Sequence, residues 1–176
     1  AYWAQEQVKL QDRLKSFESP HRLPEDVYIQ PVRAEIIVIG LGRVGKGAYL
    51  SLNSLVGNKV WGMDADPIRI KHLKNVGYQA MVGDGEDVDL WENMDLTQIQ
   101  LILLALPSIE DICNITEQLQ HANYAGKIAS IARYEDEIQP LIDAGSDKVF
   151  NFFTEAGTGF AEESLQLLPQ YTKVQQ

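Results

Sequence analysis

The stretch EIIVIGLGRVGKGAYL, Glu35 to Leu50, decides the fold. Ile36 to Ile39 is an apolar, β-branched run of the kind that forms a strand buried on both faces of a sheet. It runs into four glycines, Gly40, Gly42, Gly45 and Gly47. The pattern then turns amphipathic, with Val44, Ala48, Leu52 and Leu55 at helical spacing. Glycine costs backbone entropy wherever it is ordered, so four of them at one strand-to-helix junction need a reason. GLGRVG reads Gly-x-Gly-x-x-Gly: Gly40 for the tight turn, Gly42 for close approach of a phosphate, and Gly45 for close packing of helix on sheet. Amide groups at the helix start, aided by the helix dipole, would hold the anion, and Arg43 adds a forked cation. A glycine turn with no ligand is the plainer alternative.

Outward from this junction, short apolar runs alternate with helical patterns: KVWGMD, YQAMVGD, LILLALP, KIASIAR and DKVFNFF. LVGN, NVGY, YAGK and DAGS punctuate them, each placing a glycine (Gly57, Gly77, Gly126, Gly145) where a left-handed helix cap would end one element before the next strand. Right-handed crossovers then predict an α/β fold, a doubly wound, Rossmann-like sheet of six parallel strands in the order 3-2-1-4-5-6. Its ligand crevice would lie at the carboxyl ends of the first and fourth strands. Ahead of this unit, Trp3, Leu10, Leu14 and Phe17 predict a short amphipathic helix, and Pro20, Pro24 and Pro31 an extended linker. The expected division is 1–31 helix and linker, 32–168 nucleotide-binding domain, and 169–176 tail.

Two acids in MDADP divide the labour. Asp66 before Pro67 predicts an N-cap followed by a first helical residue. That leaves Asp64 at the second strand's tip, about 20 residues after the glycines, free to accept from ribose hydroxyls. A carboxylate about 4 Å from a 2′-phosphate costs roughly 4 kcal/mol at an effective dielectric near 20, which disfavours NADP against NAD, AMP, ADP or ATP. In VGDGEDVDLW, Asp84 or Asp87 caps the short helix that follows, or Asp84 accepts from the exocyclic amine of adenine; both can hold at once. Arg133, in SIARYEDE at the fifth strand's tip, either pairs with Glu135 or Glu137 or reaches a second anion.

The totals narrow the function. A chain of 176 residues with 45% apolar content supports one core plus an appendage. A net charge of −10 tells against non-specific binding to nucleic acid or an anionic membrane surface. Cys113 is the single cysteine, in register with Ile109, Ile112, Thr116 and Leu119, and reads as a small core residue. His21, His72 and His121 show no metal or relay spacing. The residues after the sixth strand are too few for a substrate domain, which tells against an oxidoreductase complete in itself. The chain opens AYWAQEQVKL without an initiator methionine, and is expected to be a processed chain or a piece of something longer.

From about Ala34 to Leu168, the pieces IIVIGLGRVG, GMDADP, VGDGED, LALPS, IARY and FFTEAGTGFAEESL resemble a regulator of potassium conductance domain of the TrkA-N type, as found after the membrane part of Kef-type potassium/proton antiporters. The resemblance implies a regulatory domain, not an enzyme, on the cytoplasmic face of the inner membrane. It would bind an adenine nucleotide, AMP or NAD(H), gate transport by the membrane part of the same longer chain, and form a homodimer through the last helix. Ligand contacts would fall on Gly40, Gly42, Arg43, Val44, Asp64, Asp84 and Arg133, with Gly45, Ala65, Gly85 and Ala105 beside them, and no metal site is implied. In glutathione-gated members the fifth-strand tip resembles ARAR with further basic residues, whereas ARYEDE is acidic here, which tells against glutathione. Two other readings stand beside this one: an NAD-dependent oxidoreductase whose substrate domain is elsewhere, and a purely structural dimerisation module.

Overall fold

The computed structural model describes residues 30–171; the expected amphipathic helix and most of the linker fall outside them. Six strands, β1 (Ile36–Ile39), β2 (Val60–Asp64), β3 (Ala80–Val82), β4 (Leu101–Leu104), β5 (Lys127–Ala132) and β6 (Lys148–Asn151), form one sheet in the order β3-β2-β1-β4-β5-β6. Every pairing is parallel, as the alternation of strands and helices requires. Between and after the strands come α1 (Arg43–Val56), α2 (Pro67–Asn75), α3 (Val88–Asn93), α4 (Ile109–His121), α5 (Ile138–Ala144) and α6 (Phe152–Leu165).

Alternation along β1 sends its side chains into two separate cores. Ile37 and Ile39 join Met63, Ile102 and Leu104 under Trp91, Ile112, Ile115 and Leu141, so α3, α4 and α5 cover that face. Val38 joins Val60, Leu41, Tyr49, Ile70 and Leu73 under α1 and α2. Burying each such aliphatic side chain contributes about 1.5–3 kcal/mol, offset by the entropy of ordering the chain.

The α1 helix follows the predicted stripe only in part. Ala48 and Leu52 are half-buried, Leu52 against the smaller core, but Leu55 is 79% exposed, Val44 is exposed as well, and the fully buried residues are Gly45 and Tyr49. The Tyr49 ring stacks on Tyr78 at 4.6 Å and its hydroxyl accepts from the Gln79 N–H at 2.8 Å, which anchors that side of the helix. Three of the four punctuating glycines have positive φ: Gly57, Gly77 and Gly145. At YAGK the left-handed residue is Asn123 instead (φ 55°), and Gly126 serves packing, because a Cβ there would overlap the Tyr124 ring.

The sixth apolar run also ends early. Asn151 closes β6 and its side-chain oxygen accepts from the Thr154 N–H at 3.2 Å, so Phe152 and Phe153 open α6 instead of extending the strand. As an edge strand β6 is only partly buried. None of the α6 side chains is buried, and Phe153, Phe160 and Leu165 all face solvent.

Candidate functional site

The carboxyl ends of β1 and β4 diverge where the strand order reverses, and a cavity of about 670 Å³ opens there. Gly40 turns the chain out of β1 with φ 87°, a conformation in which its missing side chain matters. A Cβ would stand 2.7 Å from Leu106 Cδ2 and 2.8 Å from the Ala105 carbonyl oxygen. Gly45 does not line the cavity; it lies beneath, where a Cβ would overlap the Gly40 carbonyl oxygen, so α1 can sit on the turn only without one. Gly42 has open space around its Cα. Of the four helices longer than eight residues among the described residues, α1 is the one whose N-cap makes no side-chain hydrogen bond: Asp66, Ser108 and Asn151 cap α2, α4 and α6, but Gly42 offers nothing. The amides of its first turn are left to whatever enters the cavity.

The expected contacts Gly40, Gly42, Arg43, Val44, Asp64, Ala65, Asp84, Gly85, Ala105 and Arg133 all line this cavity. Asp64, 7% exposed, is not free as its position at the strand tip predicts. Oδ2 accepts from the Leu41 N–H at 2.7 Å and from an Arg69 Nη at 2.8 Å, and Oδ1 from the Asp66 N–H at 3.0 Å. Burial pushes the Asp64 pKa up, but the Asp66 and Leu41 amides and the Arg69 guanidinium outweigh it and hold the carboxyl below its ordinary range. The carboxylate therefore braces the glycine turn and keeps one lone-pair direction, on Oδ1, for a ribose hydroxyl. Arg69 also offsets part of the charge on which the exclusion of a 2′-phosphate rests.

Arg69 lines the cavity and was not legible as a site residue. The available signal is its place in DADPIRI, one turn into a helix whose start is fixed by Asp66: Oδ1 of that residue accepts from the Ile68 N–H at 2.9 Å and the Arg69 N–H at 3.2 Å. Asp84 and Asp87 divide their work. Asp87 caps α3 through the Asp89 N–H, and Asp84 Oδ1 accepts from the Glu86 N–H at 2.9 Å, which holds the GDGED loop in a turn beside the cavity.

At the far wall, Glu137 accepts from the Arg133 and Tyr134 backbone N–H groups, and Glu135 accepts from the Asn151 amide. Neither forms a salt bridge with Arg133, and among the described residues no other carboxylate does. Arg43 is likewise unpaired. Ile131, Phe152 and Phe153 line the same wall and were not foreseen, because the two phenylalanines read as strand. The crevice thus gathers two guanidiniums that form no salt bridge among the described residues, a helix start without a side-chain cap, and a braced carboxylate. Cys113 packs against the larger core, and burial pushes its thiol pKa up, which leaves it unsuited to nucleophilic chemistry. Among the described residues no group of acids, histidines and cysteine could hold a metal, and no helix is long and apolar enough to cross a membrane.

Solved structures share this architecture. The NAD(P)-binding domain of an exopolyphosphatase-related protein from Archaeoglobus fulgidus superposes with a TM-score of 0.68 at 21% identity, over 74% of this chain and 97% of that one. The TrkA-N domain of the Escherichia coli inner membrane protein YbaL gives 0.60 at 19% identity, over 78% and 98%. The Kef CTD of Shewanella denitrificans in its AMP-bound form gives 0.61 at 20% identity, over 75% and 79%. At such identities these likenesses establish the fold. The sequence itself, from residue 36 to residue 152, matches the TrkA-N domain, spanning β1 through the first residue of α6. This chain belongs to the TrkA-N domain family.

Proposed function

We propose that the crevice binds an adenine nucleotide, AMP or NAD(H), and that the domain acts as a non-enzymatic regulator gating a potassium efflux or cation–proton antiporter at the cytoplasmic face of the inner membrane. Residues 32–168 would be the nucleotide-binding unit and 1–31 the connector from the membrane part of a longer chain. The observation that carries this reading is the unclaimed first turn of α1 beside the braced Asp64. Such a site takes phosphate at one end and ribose at the other. The AMP in the Shewanella Kef CTD supports the ligand class. The exposed apolar face of α6 supports a second copy of this chain as partner, since Phe160 and Leu165 are left exposed by the described residues.

Gating sets an energetic requirement. Moving a 1:99 mixture of two states to 99:1 takes about 5.5 kcal/mol of differential binding, whereas a micromolar ligand has about 8 kcal/mol in total. Most of the binding energy must therefore differ between the two states, which is easier when two nucleotides exchange than when one merely binds. Calorimetric titration of AMP, ADP, ATP, NAD and NADH into the purified chain tests the reading. Micromolar binding with at least tenfold discrimination among them is the expected result. No binding by any, or oxidation of NADH with a small carbonyl compound, refutes it.

A further inference from the structure

The GDGED loop and the chain's entry into the domain lie at opposite ends of the sheet, yet the short α3 and the corner that follows it are bonded one to each. At the crevice end the Gly85 carbonyl accepts from the indole N–H of Trp91, in α3, at 2.7 Å, and Trp91 is 2% exposed. The loop has no slack there. A Cβ on Gly85 would stand 2.7 Å from Ile115 Cδ1, and one on Gly83 would stand 2.7 Å from Met63 Sδ. At the other end α3 passes through buried Met94 into Asp95. The Gln30 side-chain amide bonds the Asp95 main chain in both directions: Oε1 accepts from its N–H at 2.9 Å, and Nε2 donates to its carbonyl at 3.1 Å. The Asp95 carboxylate holds this corner by accepting from the N–H and hydroxyl of Thr97. Just beyond, Pro31 is buried and the Val32 carbonyl accepts from the Trp61 indole at 3.2 Å, so the chain is fastened to β2 before β1 begins.

We propose that α3, with Trp91 as its strut, is a mechanical relay: a nucleotide seated against Gly83–Glu86 tightens the Gln30–Asp95 clasp where the chain enters the domain. The relay rests on the nucleotide reading of the crevice. Packed contacts of this kind shift between discrete arrangements and do not deform smoothly, so a displacement at Gly85 has to appear at Asp95 or be absorbed by repacking Trp91. Coupling between the two ends must also be reciprocal.

Hydrogen exchange on the full 176-residue chain, with and without saturating AMP, tests the relay at the Asp95 amide. The reference is the Ser146 amide, bonded to the Leu141 carbonyl on the far side of the fold. AMP should slow exchange at Asp95 about fivefold or more relative to Ser146. Trp91→Phe keeps an aromatic side chain, smaller than the indole, and loses the N–H, and should bind AMP while losing that selective slowing. Gln30→Ala, an exposed substitution remote from the crevice, should weaken AMP binding by about the factor by which AMP protects Asp95. If Trp91→Phe does not fold, the Gln30 arm decides. AMP binding with no selective protection of Asp95, or an AMP affinity indifferent to Gln30→Ala, overturns the relay and leaves the crevice reading intact. Failure of the unmodified chain to bind AMP or NAD overturns both.

Discussion

Replacing Asp64 by alanine removes three hydrogen bonds of unequal worth, and the structure allows each to be weighed. The Leu41 N–H is the costliest loss: Leu41 is fully buried and its bond to Asp64 Oδ2 is 2.7 Å. Leaving such a group unsatisfied costs about 1–3 kcal/mol. The Asp66 N–H is part-buried, and its bond to Oδ1 is worth about 1 kcal/mol. The Arg69 side chain is 44% exposed and returns to solvent, so its contribution lies between about 0 and 1 kcal/mol. Asp64→Ala should therefore lower unfolding free energy by about 2–5 kcal/mol, or roughly 4–20 °C in Tm for a chain of this size. Acid provides a second readout. A carboxyl with a lowered folded pKa contributes stability that is fully present above the unfolded value near 4, and it is lost as pH falls through the folded value. The gap between wild type and Asp64→Ala, measured by urea unfolding at stepped pH, should be flat from pH 7 to about 5 and narrow below about 4. A gap under about 0.5 kcal/mol at pH 7, or one that widens in acid, would refute the bracing role of Asp64.

Two glycines in one helix should respond in opposite directions. Gly47→Ala adds a Cβ with open space around it in the middle of α1 and should raise stability by about 0.5–1 kcal/mol, whereas Gly45→Ala drives a Cβ into the Gly40 carbonyl and should cost about 2 kcal/mol or more; thermal melts of the two variants decide. Arg43→Ala and Arg133→Ala remove guanidiniums that form no salt bridge among the described residues, so each should leave Tm within about 2 °C and weaken nucleotide binding by about tenfold, read by calorimetry.

Periodicity and punctuation were enough for the sheet. Short apolar runs separated by helical patterns left one economical topology, and the glycine turn fixed which strand ends form the crevice. Local chemistry was equally legible where one residue acts on its neighbours: Asp66 and Pro67 open α2 as their types require. What stayed hidden depends on groups brought together by the fold. Arg69 reaches Asp64 only because a cap sets the helix phase, and no spacing rule says that the carboxylate will be filled from three sides. The stripe of α1 was right at Leu52 and missed Tyr49, because apolar spacing cannot register that Tyr49 has a hydroxyl partner in the Gln79 N–H. Phe152 and Phe153 continue an apolar strand by composition, and a single side-chain bond from Asn151 outweighs that preference. Gly126 shows the converse: the residue type was right for a turn, but the neighbouring Tyr124 ring, not a left-handed backbone, is what demands it.

The bare flank of α6 has a consequence for handling the protein. Fourteen residues held at one end by the Asn151 cap, with no side chain sunk into the body, sit near the length at which a lone helix melts in water. If a second copy covers that flank, as proposed above, dilution should expose the carboxyl-terminal side of Asn151 to proteases while concentrated samples resist cleavage there, and the digestion pattern becomes a gauge of how much protein is in the tube.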